Sequence, residues 1–332
     1  MNALDITQAR AWQALHDHAA VIDRTARMRM SFTGDKARAS LGGLLTNDVA
    51  SLTKGRGMRA AALTPKGRVI ALLRVMDRGD DVLVDCDAAA GAGFTEMIRK
   101  YVNPRLARHT EISAATACIG VYGPKSAETL ANILPVETDS LTSLVPHHSL
   151  TLGEGEAAMT IVRSADYGVV GFDCIAAPAR IAQLDEALGA LGIARADDTV
   201  ATIARVEAGI PQWGVEMDLE TIPQEANLDR PGIDAISFNK GCYTGQEVVV
   251  RIHFRGHVNR HLRRLTSSEP LPAGAPVFDA EGKEVGSVRS SVVSPTRGPI
   301  AVAMLRREIA PASDVVIRAD GREISARCEE LS

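Results

Sequence analysis

The chain has 332 residues, of which 45% are apolar and 23% charged, and its formal net charge is −4. That length accommodates two or three domains with buried cores. The charge balance gives no overall attraction to nucleic acid, and no stretch approaches the run of about 18 apolar residues that a membrane span needs.

Five cysteines (Cys86, Cys118, Cys174, Cys242 and Cys328) are odd in number, scattered and without a C-x-x-C pair. This argues against a disulfide framework and against a metal nest built from this chain alone. The opening segment MNALDITQARAWQALHDHAA carries Asp5 early and has no apolar core. It does not read as a secretory signal, and the cytoplasm is the expected compartment.

Residues 27 to 45 predict a strand, MRMSFT, a Gly34-Asp35 turn, and a helix with Ala37, Leu41, Leu44 and Leu45 on one face. Asp35 is the expected N-cap. CIGVYGPKSAETLANIL repeats this design 89 positions later, with Phe32 on Val121, Gly34 on Gly123, Lys36 on Lys125 and Leu41 on Leu130. Internal duplication explains the match, and so does the grammar common to strand–glycine–helix units.

Between the two units, RAAALT, RVIALLRVMD and DVLVDCD predict strands joined by the turns TPKG and RGDD. A helix around AGFTEMIRKYV ends before Pro104. After Pro146, AAMTIVRS and VGFDCIAA predict strands. A helix from Pro178 carries Ile181, Leu184, Leu188 and Leu191 inward and stops at Gly192. TVATIARVEA predicts another helix, stopping at Gly209. Past Arg264, the runs PVFD, KEVGSVRSSVV, IAVAMLR, DVVIRAD and EISARC predict a small all-β barrel or sandwich. SSEPLPAGAP is the expected domain boundary.

Candidate chemistry concentrates in FNKGCYTGQEVVVR, residues 238 to 251. Thr244-Gly245-Gln246-Glu247 fits a capping box, with Thr244 as N-cap and Glu247 reaching back to it. Cys242 then stands two residues ahead of the cap, at the positive end of the helix dipole and two residues from Lys240. Both influences favour the thiolate. Gly241 and Gly245 permit backbone angles that a Cβ obstructs. A structural cysteine in a glycine-rich turn is the other reading, and local physics leaves both standing. His253, His257 and His261 recur every four residues, but Gly256 ends the helix near Phe254, so they are not expected to converge on a metal. Arg251, Arg255, Arg260, Arg263 and Arg264, with Lys240, form the most basic stretch. It is a solvated face by default, or a site for an anionic ligand such as a phosphate or RNA.

KGCYTGQEVVVR, with FRG and R-x-L-x-x-L downstream, resembles the signature of YgfZ-type folate-binding proteins, which sit within the glycine-cleavage T-protein superfamily. SFTGDKARASLGGLLTNDVASLTKGRG with ALTPKGRVI resembles the superfamily's N-terminal pattern. RVEAGIPQWGVEM with IPQEANLD resembles the segment leading to the cysteine motif, and the β-rich end resembles its terminal barrel. The likeness spans essentially the whole chain.

The resemblance implies an α+β fold of three domains around a central folate hole, with a small C-terminal β-barrel. The domains it implies are a discontinuous first domain over 1–48 and 114–240 and an inserted second domain over 49–113. A motif helix and connector over 241–264 then lead to the barrel over 265–332. It also implies tetrahydrofolate or a derivative as cofactor, no permanently bound metal, no membrane, and iron–sulfur client or assembly proteins as partners, tRNA-thiolating enzymes among them. Cys242 becomes the operative thiol, supported by Lys240 and Glu247, and a possible transient ligand of iron–sulfur material. One cysteine cannot hold a cluster, so that role needs a ligand from a partner or a second copy. The expected folate contacts are Asp166, Arg205, Glu207, Tyr243, Gln246 and Arg251, the folate's glutamate tail being an anion for the basic stretch; a structural Arg205–Glu207 pair is at least as good an account of those two.

Two positions depart from the aminomethyltransferase branch. Its aspartate after the DVLVDCD strand is replaced here by Ala92 or an adjacent small residue, and the glutamate of Y-T-G-E-x-G-F is Val170, which cannot accept the pterin's N–H donors. Asn47 and Asp48 match the family's T-N-D, where helix ending or domain packing is an equal account. A folate-binding accessory role in iron–sulfur cluster assembly or repair therefore ranks ahead of a tetrahydrofolate-dependent one-carbon transferase or demethylase, which needs a placed acid or base. Direct nucleic-acid binding ranks last, because stacking on bases needs aromatics and only Phe254 lies in the basic run.

Overall fold

The computed structural model describes residues 4–331. The first three residues of the expected 1–48 segment and Ser332 of the expected barrel lie outside the described residues. In chain order, α1 (Ile6–Asp17) and β1 (Ala20–Asp23) precede β2 (Met28–Thr33) and α2 (Ala37–Gly42). Then come β3 (Gly57–Leu63), β4 (Val69–Asp77), β5 (Val82–Cys86), α3 (Ala88–Tyr101) and β6 (Arg108–Glu111). The next group is β7 (Ala117–Tyr122), α4 (Ser126–Ala131), α5 (Thr138–Thr142), β8 (Ser149–Leu152), β9 (Met159–Ser164) and β10 (Gly171–Ala176). α6 (Pro178–Ala190), β11 (Ala194–Ala196), α7 (Asp198–Glu207) and α8 (Gln246–Arg255) follow. The chain ends with β12 (Arg260–Thr266), β13 (Pro276–Phe278), β14 (Glu284–Ser294), β15 (Gly298–Arg306), β16 (Asp314–Ala319) and β17 (Arg322–Glu329).

These strands form three sheets. One is six-stranded in the order β11-β1-β7-β10-β9-β8, the second five-stranded in the order β3-β4-β5-β2-β6, and the third a closed barrel in the order β12-β15-β14-β13-β16-β17. Closure leaves the barrel without a free edge. Leu265, Val288, Leu305, Ile317 and Cys328 fill it.

The two strand–glycine–helix units superpose in sequence throughout: β2 and α2 begin and end 89 positions before β7 and α4. In each, a glycine in the left-handed region (Gly34, φ 105°; Gly123, φ 125°) makes the turn. Its carbonyl accepts from Ala37 N at 2.9 Å or from Ser126 N at 3.0 Å. Asp35 is therefore not the N-cap; that position is Lys36, without a side-chain cap bond. The turn is closed by backbone instead.

Three further expectations are corrected by the strand pairing and helix ends. β2 and α2 do not stay with the first domain's sheet, because β2 pairs with β5 (Met28↔Cys86) and β6 (Met30↔Glu111). The second sheet thus takes residues 28–111, rather than beginning after residue 48. SSEPLPAGAP lies inside the barrel, because β12 ahead of it pairs with both β15 and β17. In α6, Ile181, Leu184 and Leu188 are buried, but the helix ends at Ala190 and Leu191 is 54% exposed. Among the described residues no helix is long and apolar enough to cross a membrane.

Candidate functional site

A cavity opens where the two open sheets meet, lined by Arg24, Arg27, Arg59, Arg74, Asp87, Asp166, Tyr167 and Arg205, among others. Strand register assembles much of it: Arg59 on β3 stands opposite Arg74 on β4, which stands opposite Asp85 on β5. The turn between β9 and β10 adds Asp166 and Tyr167, and the end of α7 adds Arg205.

The charges are matched and almost fully spoken for. Arg74 donates Nε to Asp85 at 2.8 Å, Nη2 to its other oxygen, and Nη1 to Asp173. Arg27 bridges Asp85 at 3.0 Å and Asp87 at 2.8 Å. Arg24 donates to Asp166 at 2.6 Å and to the Tyr122 hydroxyl at 2.7 Å, and Arg59 donates to the second Asp166 oxygen. The Tyr122 hydroxyl in turn donates to Asp173 at 2.5 Å. Four arginines thus face four aspartates. Burial alone would raise the carboxyls of Asp85 and Asp166. The surrounding guanidiniums outweigh it and hold both well below the usual carboxylate range. Such groups neither accept nor deliver protons readily near neutral pH.

A second cavity continues from the first, sharing Tyr167 and Ile210 and lined by His16, Glu207, Arg230 and, from the barrel's β14–β15 turn, Thr296 and Arg297. Tyr167 is held edge-on to Tyr122 (4.8 Å, 89°), with the Arg24 guanidinium 5.3 Å from its ring centre. Arg205 donates to Ile210 O at 2.8 Å and to Glu216 at 2.9 Å, so its ion-pair partner is Glu216 and not Glu207. Glu207 accepts from Trp12 Nε1 at 3.4 Å. Buried atoms without partners remain here: Arg205 Nε, Glu207 Oε1 and Arg230 Nε.

The cysteine turn lies elsewhere. Lys240 Nζ donates to Gly42 O and, at 2.8 Å, to Leu45 O, carbonyls at the negative end of α2. Burial pulls the Lys240 ammonium down to about 8, with Asp48 and Cys242 opposing the shift. Its Nζ lies 4.8 Å from the centre of the Tyr243 ring, which is buried and anchors the turn in the core. Cys242 itself is a free, exposed thiol. Lys240→Met is expected to cost about 1.5 kcal/mol, the value of charged hydrogen bonds, read as a shift in the urea midpoint.

The expected capping box is not formed. Gly245, at φ 81°, is the cap residue, and no side chain caps α8. A Cβ at Gly245 would sit 2.6 Å from Thr64 O, so close packing on the β3–β4 turn dictates the left-handed glycine and moves the helix start past Thr244. Glu247 is exposed in the first turn of α8.

Of the residues expected to touch folate, Asp166, Arg205 and Glu207 line the two cavities, whereas Tyr243, Gln246 and Arg251 line neither. Tyr243 is core, and Arg251 is exposed on α8. Cys242, Lys240 and Glu247 are also absent from both linings. Ala92 is exposed on α3 and borders a surface groove, not the central cavity. Asn47 donates to Arg59 O and Asp234 O, both at 2.8 Å, a packing role. His253 is on α8, His257 follows it and His261 is on β12, and among the described residues no group of three or more metal-ligating side chains forms. Sequence reading missed Arg24, Arg27, Arg59, Arg74, Asp87 and Tyr167. The available signal was arginine and aspartate inside otherwise apolar strands, in RAAALT, RVIALLRVMD and DVLVDCD.

The comparisons cover nearly the whole chain. The GCVT N-terminal domain matches residues 4–232, and the glycine cleavage T-protein C-terminal barrel domain matches residues 260–331. An aminomethyltransferase of Saccharopolyspora erythraea is 27% identical over 303 residues, 89% of this chain and 81% of the relative. The tRNA-modifying protein YgfZ of Escherichia coli O157:H7 is 30% identical over 250 residues, 72% of this chain and 69% of the relative. The crystal structure of glycine cleavage system aminomethyltransferase T from Bartonella henselae shares the fold, with a TM-score of 0.87 at 20% identity over 97% of this chain and 88% of that one. The sheets, the closed barrel and the two domain matches agree, and this chain belongs to the glycine cleavage T-protein family.

Proposed function

We propose that the protein is a cytoplasmic folate-binding accessory factor that supports iron–sulfur cluster assembly or repair in client enzymes, including tRNA-modifying ones, with Cys242 as its operative thiol. The observation that carries this reading is a separation. Asp87 and Asp166, the carboxylates lining the inner cavity, are already held by arginines, while the exposed cysteine sits outside in a turn pinned by Lys240. The likeness to YgfZ supports it. The likeness to aminomethyltransferases supports the rival, a tetrahydrofolate-dependent one-carbon transferase or demethylase. Against the rival stand Asp87 and Asp166, the carboxylates of the inner cavity, each already ion-paired to arginine.

The cavity side chains fit a folate-type ligand. Glu207 Oε1 is a buried acceptor without a partner, and Arg205 Nε and Arg230 Nε are buried donors without one. Unpaired buried groups of both kinds suit a heterocycle that presents N–H donors and a carbonyl together. Tyr167 offers an aromatic edge held by Arg24. Arg297, exposed at the barrel turn, suits an anionic tail. When bound, tetrahydrofolate supplies a carrier for one-carbon units. The chain's own residues bind and orient it.

Titration of the purified protein with tetrahydrofolate by calorimetry tests the reading. Binding is expected, Glu207→Gln weakens it about tenfold, the value of a hydrogen bond to a charged partner, and Cys242→Ser leaves it unchanged. Absence of binding overturns the folate assignment, and turnover of an aminomethyl donor installs the rival.

A further inference from the structure

We propose that the solvent face of α8, with the strap just before it, docks single-stranded nucleic acid, independently of the central cavity. In the sequence Phe254 stood alone among arginines, but the fold gives it company. Phe238 comes from the strap and stacks on His253, with ring centres 3.6 Å apart and planes 14° from parallel. His253 meets Phe254 edge-on at 4.7 Å and 87°. Phe254 is 65% exposed, so one apolar ring, braced from behind by a stacked pair, is presented to solvent.

Charge surrounds that ring. Arg251 and Arg255 lie one turn apart on the same helix and are exposed, as is His257 just beyond it. Among the described residues the basic stretch finds its ion-pair partners only further on, at Arg260 and Arg263, and neither Arg251 nor Arg255 has an acid within 4 Å. Glu247, one turn before Arg251, is the only acidic residue of α8. The chain as a whole carries −4, so this patch of free cations runs against the overall charge.

An exposed, braced aromatic between two unpaired guanidiniums matches a nucleotide chain, whose bases stack on rings while its phosphates take arginine. An acidic protein face would satisfy the arginines but has no comparable use for the flat ring. A duplex would satisfy the charges but keeps its bases inside. Single-stranded nucleic acid answers both features.

The test is fluorescence anisotropy of the full chain with a fluorescein-labelled oligouridylate of about twelve nucleotides, between about 50 and 200 mM salt. Binding that weakens with salt is expected. Phe254→Ala should weaken it about tenfold and Phe254→Trp should restore it, since any ring supplies a stacking face. Phe254 is exposed, and unchanged thermal melts confirm that the variants fold. Arg251→Gln and Arg255→Gln should each reduce the salt slope by about 0.7. The proposal is overturned by absence of binding at low salt, by Phe254→Ala matching the wild type, or by equal binding of a duplex of the same length. A polyglutamate peptide that binds with the same Phe254 dependence would overturn it in favour of an acidic protein partner.

Discussion

Arg74→Met should lower the stability of the folded chain by about 3–5 kcal/mol, the cost of breaking a buried ion pair from one side. Arg74 is 2% exposed and gives two N–H groups to Asp85 and a third to Asp173, both carboxylates being fully buried. Methionine matches much of its length but offers no donor. It leaves Asp85 with Arg27 alone and Asp173 with Tyr122 and, at 3.5 Å, Arg24. The penalty is that of buried negative charge left short of partners, not of lost volume. Arg74→Met combined with Asp85→Asn should therefore recover part of the loss, because one of those charges is gone. Urea unfolding measures both. A shift within the ±0.5 kcal/mol typical of surface changes for the single variant would remove the network from the account of stability.

A second large effect is in the pH dependence, and it belongs to His147. This residue is buried, holds φ 70°, and has an Nδ1 with no partner. Its carbonyl packs against Gly57 at the start of β3, where a Cβ would collide with it. Burial, with Arg59 adding to it, pulls its imidazole down to about 3, against about 6.5 in an unfolded chain. Between those values the unfolded chain takes up a proton that the folded chain refuses. The stability contributed by neutral His147 is complete above about pH 6.5 and is lost as pH falls towards 3, by up to about 1.4 kcal/mol per unit. Asp85 and Asp166 act lower. Their folded carboxyls are depressed, so their contribution is intact above the ordinary carboxylate range and is lost only below about pH 4. The window from about pH 4.5 to 6.5 thus separates the histidines from Asp85 and Asp166. His147→Asn keeps the left-handed backbone, which asparagine tolerates, and should flatten the stability profile there. The remaining slope comes from His148 and His261, which burial also lowers, opposed by Asp229, whose carboxyl burial raises. An unchanged slope in His147→Asn would contradict the assignment.

Local pattern carried most of the element order and little of the inner cavity. The MRMSFT strand, its glycine turn and their counterparts 89 positions later were legible because strand alternation and a positive-φ glycine are written in adjacent residues. The arginine–aspartate network was not. Arg24 and Asp166 are 142 positions apart, and Arg74 and Asp173 are 99. They meet only once strand register and sheet packing are set. Asp166 was singled out as an expected folate contact and does line the cavity, yet its partners could not be read. The capping box at Thr244 failed for a comparable reason. Its short pattern is satisfied on paper, but contact with Thr64 on a distant turn demands the left-handed Gly245 and shifts the helix start. The aromatic brace behind Phe254 depends on Phe238, which the helix pattern alone gave no reason to place there.

The proposed function divides the labour: the cavity binds folate while Cys242 acts. That division is tested by the activity of iron–sulfur enzymes in cells that lack this protein and are supplied with the Cys242→Ser chain. The serine variant is expected to accumulate and to bind tetrahydrofolate as the wild type does, yet to leave those enzymes as impaired as no protein at all. Full restoration of their activity by Cys242→Ser would contradict it.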